Sequence, residues 1–297
     1  MAEYLGLTIG FHIDGKDAKT LGDKFTLAEK SGAGVFQCFM HPPQQSGWAG
    51  AKVIPATDSE QARRSHVAMA THSPYILNLA GPYNESVAQI ILDDLRINNL
   101  TSGIGTVIHP GTNTARYGLS TARAEATVAA NINRMLRAYC MVNPDEDKAL
   151  LLIENNAAET NKLFHSIDRL GWLYSQIQPN LRRYLGFCLD TQHLFASGYD
   201  LRQPAIVRQV FDEFHRLIGL DNLELVHLND SKVPFGTARD RHQTLGRGHI
   251  FDPAQGGSHD GLREVVHACQ THQIPMVCET KDEHPHEMAL VRRLATK

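Results

Sequence analysis

Eight short apolar runs, rich in β-branched residues, recur along the chain, and each breaks off at a polar side chain before a segment of helical spacing. They are LGLTIGFHI ending near His12, GVFQCFM near Met40, HVAMATH at His72, GTVIHPG at His109, ALLLIEN at Glu154, YLGFCLD at Asp190, LELVHLN at His227 and IPMVCET at Glu279. A strand apolar on both faces is one covered on both faces, as in a parallel sheet flanked by helices. The intervening segments supply the cover. NESVAQIILDDL puts Val87, Ile90, Ile91 and Leu95 on one stripe. AIVRQVFDEFHRLIG does the same with Val207, Val210, Phe211, Phe214, Leu217 and Ile218, ahead of a Gly219 placed as a C-terminal cap. TDSE at 57–60 has capping-box spacing. Strand and helix alternating eight times within 297 residues predicts an α/β fold of the (β/α)8 TIM-barrel type. A doubly wound open sheet is the alternative topology, but no G-x-G-x-x-G follows the first strand, which argues against a dinucleotide-binding version. With no Gly/Ser- or Pro-rich linker, a single domain over 1–297 is expected. The stretches without periodicity, 41–58 and 249–261, are expected as extended loops on the face where the strands end.

The formal net charge of −3 gives no global basic field to attract nucleic acid, which leaves only a local patch for that role. No apolar run approaches membrane-spanning length, and the N-terminal residues lack the pattern of a secretion signal, so an intracellular protein away from membranes is expected. Five cysteines without a C-x-x-C pair fit a reducing setting, with Cys188 and Cys278 read as barrel packing. Sixteen histidines form the compositional feature that needs a cause.

In a parallel barrel the C-terminal ends of all strands share one rim, so the polar terminators become neighbours. His72, His109, Glu154, Asp190, His227 and Glu279 each end a different run. His193 follows Asp190 by one helical turn, and Asp240 and His242 alternate in an extended loop, so each pair faces one way. Nine imidazoles and carboxylates in one basin call for cations, and zinc or manganese accepts both ligand types. Nine are too many for one tetrahedral ion; three metals with one or two bridging carboxylates would use them all. A lone His at a strand end is more often a hydrogen-bonded structural residue than a ligand, which is the reading for His12, His66 and His215, with His12 the one placed to support ligands from behind. His249, His259, His284 and His286 read as solvated loop residues. LGRG at 245–248 offers a phosphate cradle but more often marks a turn. No G-x-S-x-G elbow suggests a serine nucleophile.

The stretches HSPYILNLA from 72, VIHPGTN from 107, LLIENNA from 151, GFCLDTQHLFASGYDLR from 186, HLNDSKVPFGTARDRHQTLGRGHI from 227 and CET from 278 make the chain resemble, over nearly its whole length, the endonuclease IV type of apurinic/apyrimidinic endonuclease. That resemblance implies a barrel holding three zinc ions, with Mn2+ as a substitute. His72, His109 and Glu154 would hold the first. Glu154 would bridge to a second held by Asp190, His227 and Glu279, and His193, Asp240 and His242 would hold the third. Glu154 and Glu279 are the expected catalytic carboxylates. Tyr75 and Ile76 match the loop that wedges into duplex DNA, and Arg241 matches a phosphate contact. Two stretches depart from the family pattern. MHPPQQSGW lacks the family's arginine, with Gln44 or Gln45 nearest, and NNAAETNKLF replaces its Gly-rich segment.

The implied activity is hydrolysis 5′ to abasic sites in double-stranded DNA, leaving a 3′-hydroxyl and a 5′-deoxyribose phosphate, by a protein expected to be monomeric. Lys232, Arg239, Arg241 and Arg247 would form the local basic rim. A single-metal sugar isomerase or epimerase using Glu154, Asp190, His227 and Glu279 is the rival, although it leaves His72, His109, Asp240 and His242 unused. A non-catalytic binder of DNA damage is a third reading, which the intact ligand set disfavours.

Overall fold

A computed structural model of the chain describes residues 6–142, 149–280 and 284–295. Its strands are β1 (Ile9–His12), β2 (Val35–Phe39), β3 (Ala68–His72), β4 (Gly105–Ile108), β5 (Leu150–Glu154), β6 (Leu185–Asp190), β7 (Leu223–His227), the short pair β8 (Asp230–Ser231) and β9 (His242–Gln243), and β10 (Met276–Cys278). The helices are α1 (Leu21–Lys30), α2 (Ala56–Arg64), α3 (Glu85–Thr101), α4 (Thr121–Val142), α5 (Ile167–Gln176), α6 (Thr191–Ala196), α7 (Pro204–Leu217), α8 (His259–Thr271) and α9 (His284–Ala295). All strands but β8 and β9 pair in parallel and close on themselves in the order β1-β10-β7-β6-β5-β4-β3-β2. The (β/α)8 barrel expected from the alternating pattern is therefore the observed fold. No helix among the described residues is long and apolar enough to cross a membrane.

Two apolar layers hold this arrangement. Inside the cylinder, Val35, Ala70, Val107, Leu152, Cys188, Leu225 and Val277 form a buried cluster drawn from seven strands. Outside it, the helix stripes cover the other strand faces: Val87, Ile90, Ile91 and Leu95 of α3 and Val207, Val210, Phe211 and Phe214 of α7 are all buried. Cys278 packs in this outer layer. The helix ends follow local chemistry. Gly219 sits just beyond α7 at φ +93°, accepting the left-handed turn while its N–H reaches the Phe214 and His215 carbonyls. The capping box expected at 57–60 does not form. Helix α2 begins at Ala56 behind Pro55, whose fixed φ already starts the turn, and no side chain caps it.

Gly10 shows how tightly the strands close. A Cβ there would lie 1.5 Å from the Val35 carbonyl oxygen, which is backbone and cannot step aside. Gly10→Ala is expected to cost about 3 kcal/mol or more, as severe overpacking does. The urea midpoint should fall sharply; an unchanged midpoint would show that β1 and β2 can separate freely.

Candidate metal centre

The rim formed by the C-terminal strand ends gathers all nine expected side chains. His72, Glu154, Asp190 and His227 are the last residues of β3, β5, β6 and β7, and His109 and Glu279 stand one residue beyond β4 and β10. His193 comes from α6, whose N-cap is Asp190: the Asp190 carboxylate accepts the His193 N–H at 2.8 Å. His242 opens β9, and the β8–β9 pairing folds the 232–241 loop back so that Asp240 and His242 return to the rim.

Within this basin, donor atoms fall into three groups, each with all members within 4.8 Å of one another: His72, His109 and Glu154; Glu154, Asp190, His227 and Glu279; Asp190, His193 and His242. Glu154 belongs to the first two groups and Asp190 to the last two. Asp240 flanks the third, 3.3 Å from His193 Nε2 and 3.2 Å from His242 Nε2. The sequence reading placed Asp240 rather than Asp190 in that third set; the geometry gives both access to it.

Hydrogen bonds behind the cluster fix the ring tautomers. A carbonyl only accepts, so His72 Nδ1 donates to Ser73 O at 2.6 Å and His193 Nδ1 donates to Asn155 O at 2.8 Å. Each ring thereby turns its Nε2 toward the basin. His227 is held the opposite way round: its Nε2 donates to Gln37 Oε1 at 2.8 Å, and Nδ1 faces Glu154 at 3.0 Å and Glu279 at 3.2 Å. Orientation of an imidazole through its remote nitrogen is how ligand histidines are usually set.

Three buried amides do this supporting work, and sequence reasoning missed all of them. Gln37 Nε2 donates to Glu279 Oε1 at 2.8 Å and contacts His12 Nδ1 at 3.2 Å. Asn229 donates to Asp190 at 2.6 Å and to Glu279 at 3.0 Å, and accepts the Glu279 N–H at 2.9 Å. Asn155 accepts the Asp190 N–H at 2.8 Å. Gln37 had a readable signal, a lone amide inside the apolar strand VFQCF. His12 is a hydrogen-bonded residue, as the commoner reading has it, and its partner Gln37 places it behind the ligands. His66 and His215 are simply exposed. His284 departs from the solvated-loop reading: it opens α9 and stacks on Phe11 with ring centroids 4.2 Å apart.

The electrostatics test whether a cation fits. Burial alone would raise the Glu154 carboxyl, yet His109 and His227 hold it well below the usual range. Glu279 is likewise pushed down to about 2, against its burial, chiefly by His227. Burial disfavours charge on His193, but Asp190 and Asp240 drive it well up, and Asp190 and Asp240 raise His242 to about 8 despite its burial. The protein's own atoms thus balance buried carboxylates with protons on imidazoles. His193 Nε2 and His242 Nε2 are buried with only the Asp240 carboxylate opposite them, at 3.3 and 3.2 Å. Buried carboxylates and imidazoles that face one another with no other counter-charge fit divalent cations.

The basin opens as a cavity of about 510 Å³ lined by His72, Tyr75, Glu154, Lys162, Asp240 and Arg241, among others. Tyr75 lines it and is 46% exposed, and the next residue, Ile76, is 42% exposed. The Tyr75 N–H donates to Pro43 O at 3.0 Å, tying this loop to the one after β2. Lys232, Arg239, Arg241 and Arg247 all lie on the solvent-exposed surface of the β8–β9 region and the residues just after it.

The sequence profile of the xylose isomerase-like TIM barrels matches residues 25–294. A protein of Moorella thermoacetica described as probable endonuclease 4 is 30% identical, the match covering 97% of this chain and 99% of that one. Among solved structures, endonuclease IV from Thermus thermophilus superposes with a TM-score of 0.75 at 24% identity, covering 97% of this chain and 98% of that one. A D-tagatose 3-epimerase-like protein superposes at 0.66 with 13% identity, covering 96% and 95%. At these identities, the two superpositions speak for the fold alone.

Proposed function

The chain belongs to the endonuclease IV family of xylose isomerase-like TIM barrels, and from that footing we propose that it is a zinc-dependent endonuclease that cuts the DNA phosphodiester immediately 5′ to an abasic site. One observation carries the reading: nine ligand-type side chains, drawn from six strand ends, a helix and a loop, converge in one basin. His72, His109 and Glu154 would hold one ion, Glu154, Asp190, His227 and Glu279 a second, and His193, His242 and the Asp240 or Asp190 carboxylate a third. When bound, zinc supplies Lewis acidity toward phosphate oxygens and a water acidified toward neutrality.

The chain's own part is positioning. Glu154 and Glu279, ionised through neutral pH, fix the centre of the basin, and Gln37 and Asn229 prevent Glu279 from turning away. Tyr75 and Ile76 present apolar surface at the rim, where they would fill the space left by a lesion nucleotide drawn out of the helix. An abasic nucleotide has no base pairing or stacking to lose, so its extrusion is cheap, and that difference supplies selectivity. Arg241, exposed beside Asp240 and His242, would pair with a backbone phosphate. Water splits across the broken bond, its hydroxyl going to the 5′-phosphate of the abasic sugar and its proton to the departing 3′-oxygen. No side-chain nucleophile is required.

A single-ion sugar isomerase or epimerase is the second reading, favoured by the self-contained group Glu154, Asp190, His227 and Glu279. Metal analysis of the purified protein separates them: about three zinc per chain is expected, whereas about one, with no cleavage of abasic duplex, would favour the epimerase.

Metal uptake should also release protons. His242 is raised to about 8 and so carries a proton at pH 7 in the metal-free protein, and a cation must displace it. Apparent zinc affinity is therefore expected to climb as pH rises toward 8 and to weaken steadily below it. Calorimetry in buffers of different ionisation enthalpy reads the released protons directly, and a buffer-independent heat would remove this account.

A further inference from the structure

The loop between β5 and α5 is held rigidly against the loop that follows β4. Thr112 and Lys162 form an antiparallel bridge, Leu163 N–H donates to Gly111 O at 3.2 Å, and Asn113 N–H donates to Asn161 O at 2.8 Å. Asn156 adds a side-chain bond to Leu163 O at 2.6 Å, and Asn161 adopts a left-handed φ of +64° to make the turn. The same loop touches the metal-centre loop directly, for Glu159 accepts the Asp240 N–H at 3.1 Å. So much backbone fixation serves to present something, and the residue presented to the cavity is Lys162.

Lys162 is half-buried, and among the described residues no carboxylate pairs with its ammonium. Three carboxylates share its cavity, but Glu154, Asp240 and Glu279 are each engaged with imidazoles. Arg241 enters the same cavity from the β8–β9 loop, so two cations reach it from separate loops. A half-buried cation held beside an open basin and left without an internal counter-ion is completed by an anion from outside.

We propose that the Lys162 ammonium binds a non-bridging phosphate oxygen of the lesion-bearing strand as that strand enters the metal cavity, making Lys162 a substrate-binding residue distinct from the rim arginines. The inference rests on the endonuclease reading above. Its measurable signature is counter-ion release: each phosphate neutralised adds about 0.9 to the slope of log affinity against log salt on duplex DNA.

The test uses metal-loaded protein and an abasic duplex whose scissile linkage is a 3′-methylene phosphonate, which keeps its charge but cannot be cut. Anisotropy over a salt titration should show Lys162→Gln binding about three- to tenfold more weakly at low salt, with the slope reduced by about 0.9, while Lys162→Arg keeps the wild-type slope. A residue that merely props the loop would leave the slope unchanged. Equal slopes in all three proteins, or an equal loss in both variants, overturns the assignment of Lys162 alone. Should the wild type show no preference for the abasic duplex and no salt dependence, the endonuclease reading itself falls, and the two failures are thereby told apart.

Discussion

In Glu154→Gln, cleavage of abasic duplex is expected to fall by at least about a thousandfold, since loss of a single transition-state contact already costs about a hundred- to a thousandfold. Glu154 is 1% exposed and lies 3.3 Å from His72, 3.5 Å from His109 and 3.0 Å from His227, so its carboxylate is common to two of the three donor groups. The amide has nearly the same shape and can still hydrogen-bond, but it carries no charge. Two cations would lose a shared anionic ligand at once, and bound zinc should drop from about three per chain to about one, the survivor in the group built on Asp190, His193 and His242. Stability of the metal-free protein should also fall, because the imidazoles of His193 and His227 lose a buried counter-charge within 3.4 Å. Retention of three zinc ions with full turnover would show that Glu154 bridges nothing.

The sequence exposed the barrel and six of the nine donors for a common reason: a polar residue ending an apolar strand contradicts its surroundings, and the contradiction recurs at one end of successive strands. His72, Glu154, Asp190 and His227 were legible on that ground. The amides behind them were not. Asn155 and Asn229 sit where asparagine is ordinary, at the start of a loop, and nothing in their spacing reveals that they brace Asp190 and Glu279. The start of α2 was misread because Thr57 and Glu60 satisfy a local pattern that Pro55 pre-empts. His284 escaped because its partner, Phe11, lies on β1 at the opposite end of the chain. Local patterns carry the periodicity and the strand ends; contacts between remote elements decide which polar groups support which.

The Gly-x-Gly of LGRG shows this most sharply, and it leads to the second large effect. Its N–H groups cradle an anion, but the anion is the protein's own Asp230. That buried carboxylate accepts from Ser231 N at 2.8 Å, Gly246 N at 3.1 Å, Gly248 N at 3.0 Å, Ile250 N at 2.9 Å and Phe251 N at 3.3 Å. Burial works to raise its pKa, and the N–H groups of Ile250, Ser231, Gly248 and Phe251 work against that, with a net rise. A Cβ at Gly248 would come within 2.4 Å of Ser231 O and 2.6 Å of Asp230 Oδ1, so glycine is the residue that lets the backbone close on the carboxylate. Asp230 and this turn stand on either side of the segment carrying Asp240 and His242. Asp230→Ala strands several buried N–H groups, each costing about 1–3 kcal/mol, so a total loss of about 3–5 kcal/mol is expected once partial rehydration is allowed. The damage should be local before it is global. Zinc content should fall from about three to about two per chain as Asp240 and His242 lose their seat, while far-UV circular dichroism retains the barrel signal at low temperature. Asp230→Asn keeps one acceptor but sets an amide donor against the cradle's N–H groups, and should fall between the two. An Asp230→Ala protein that binds three zinc ions and melts with the wild type would mean that the loop is seated by something other than this carboxylate.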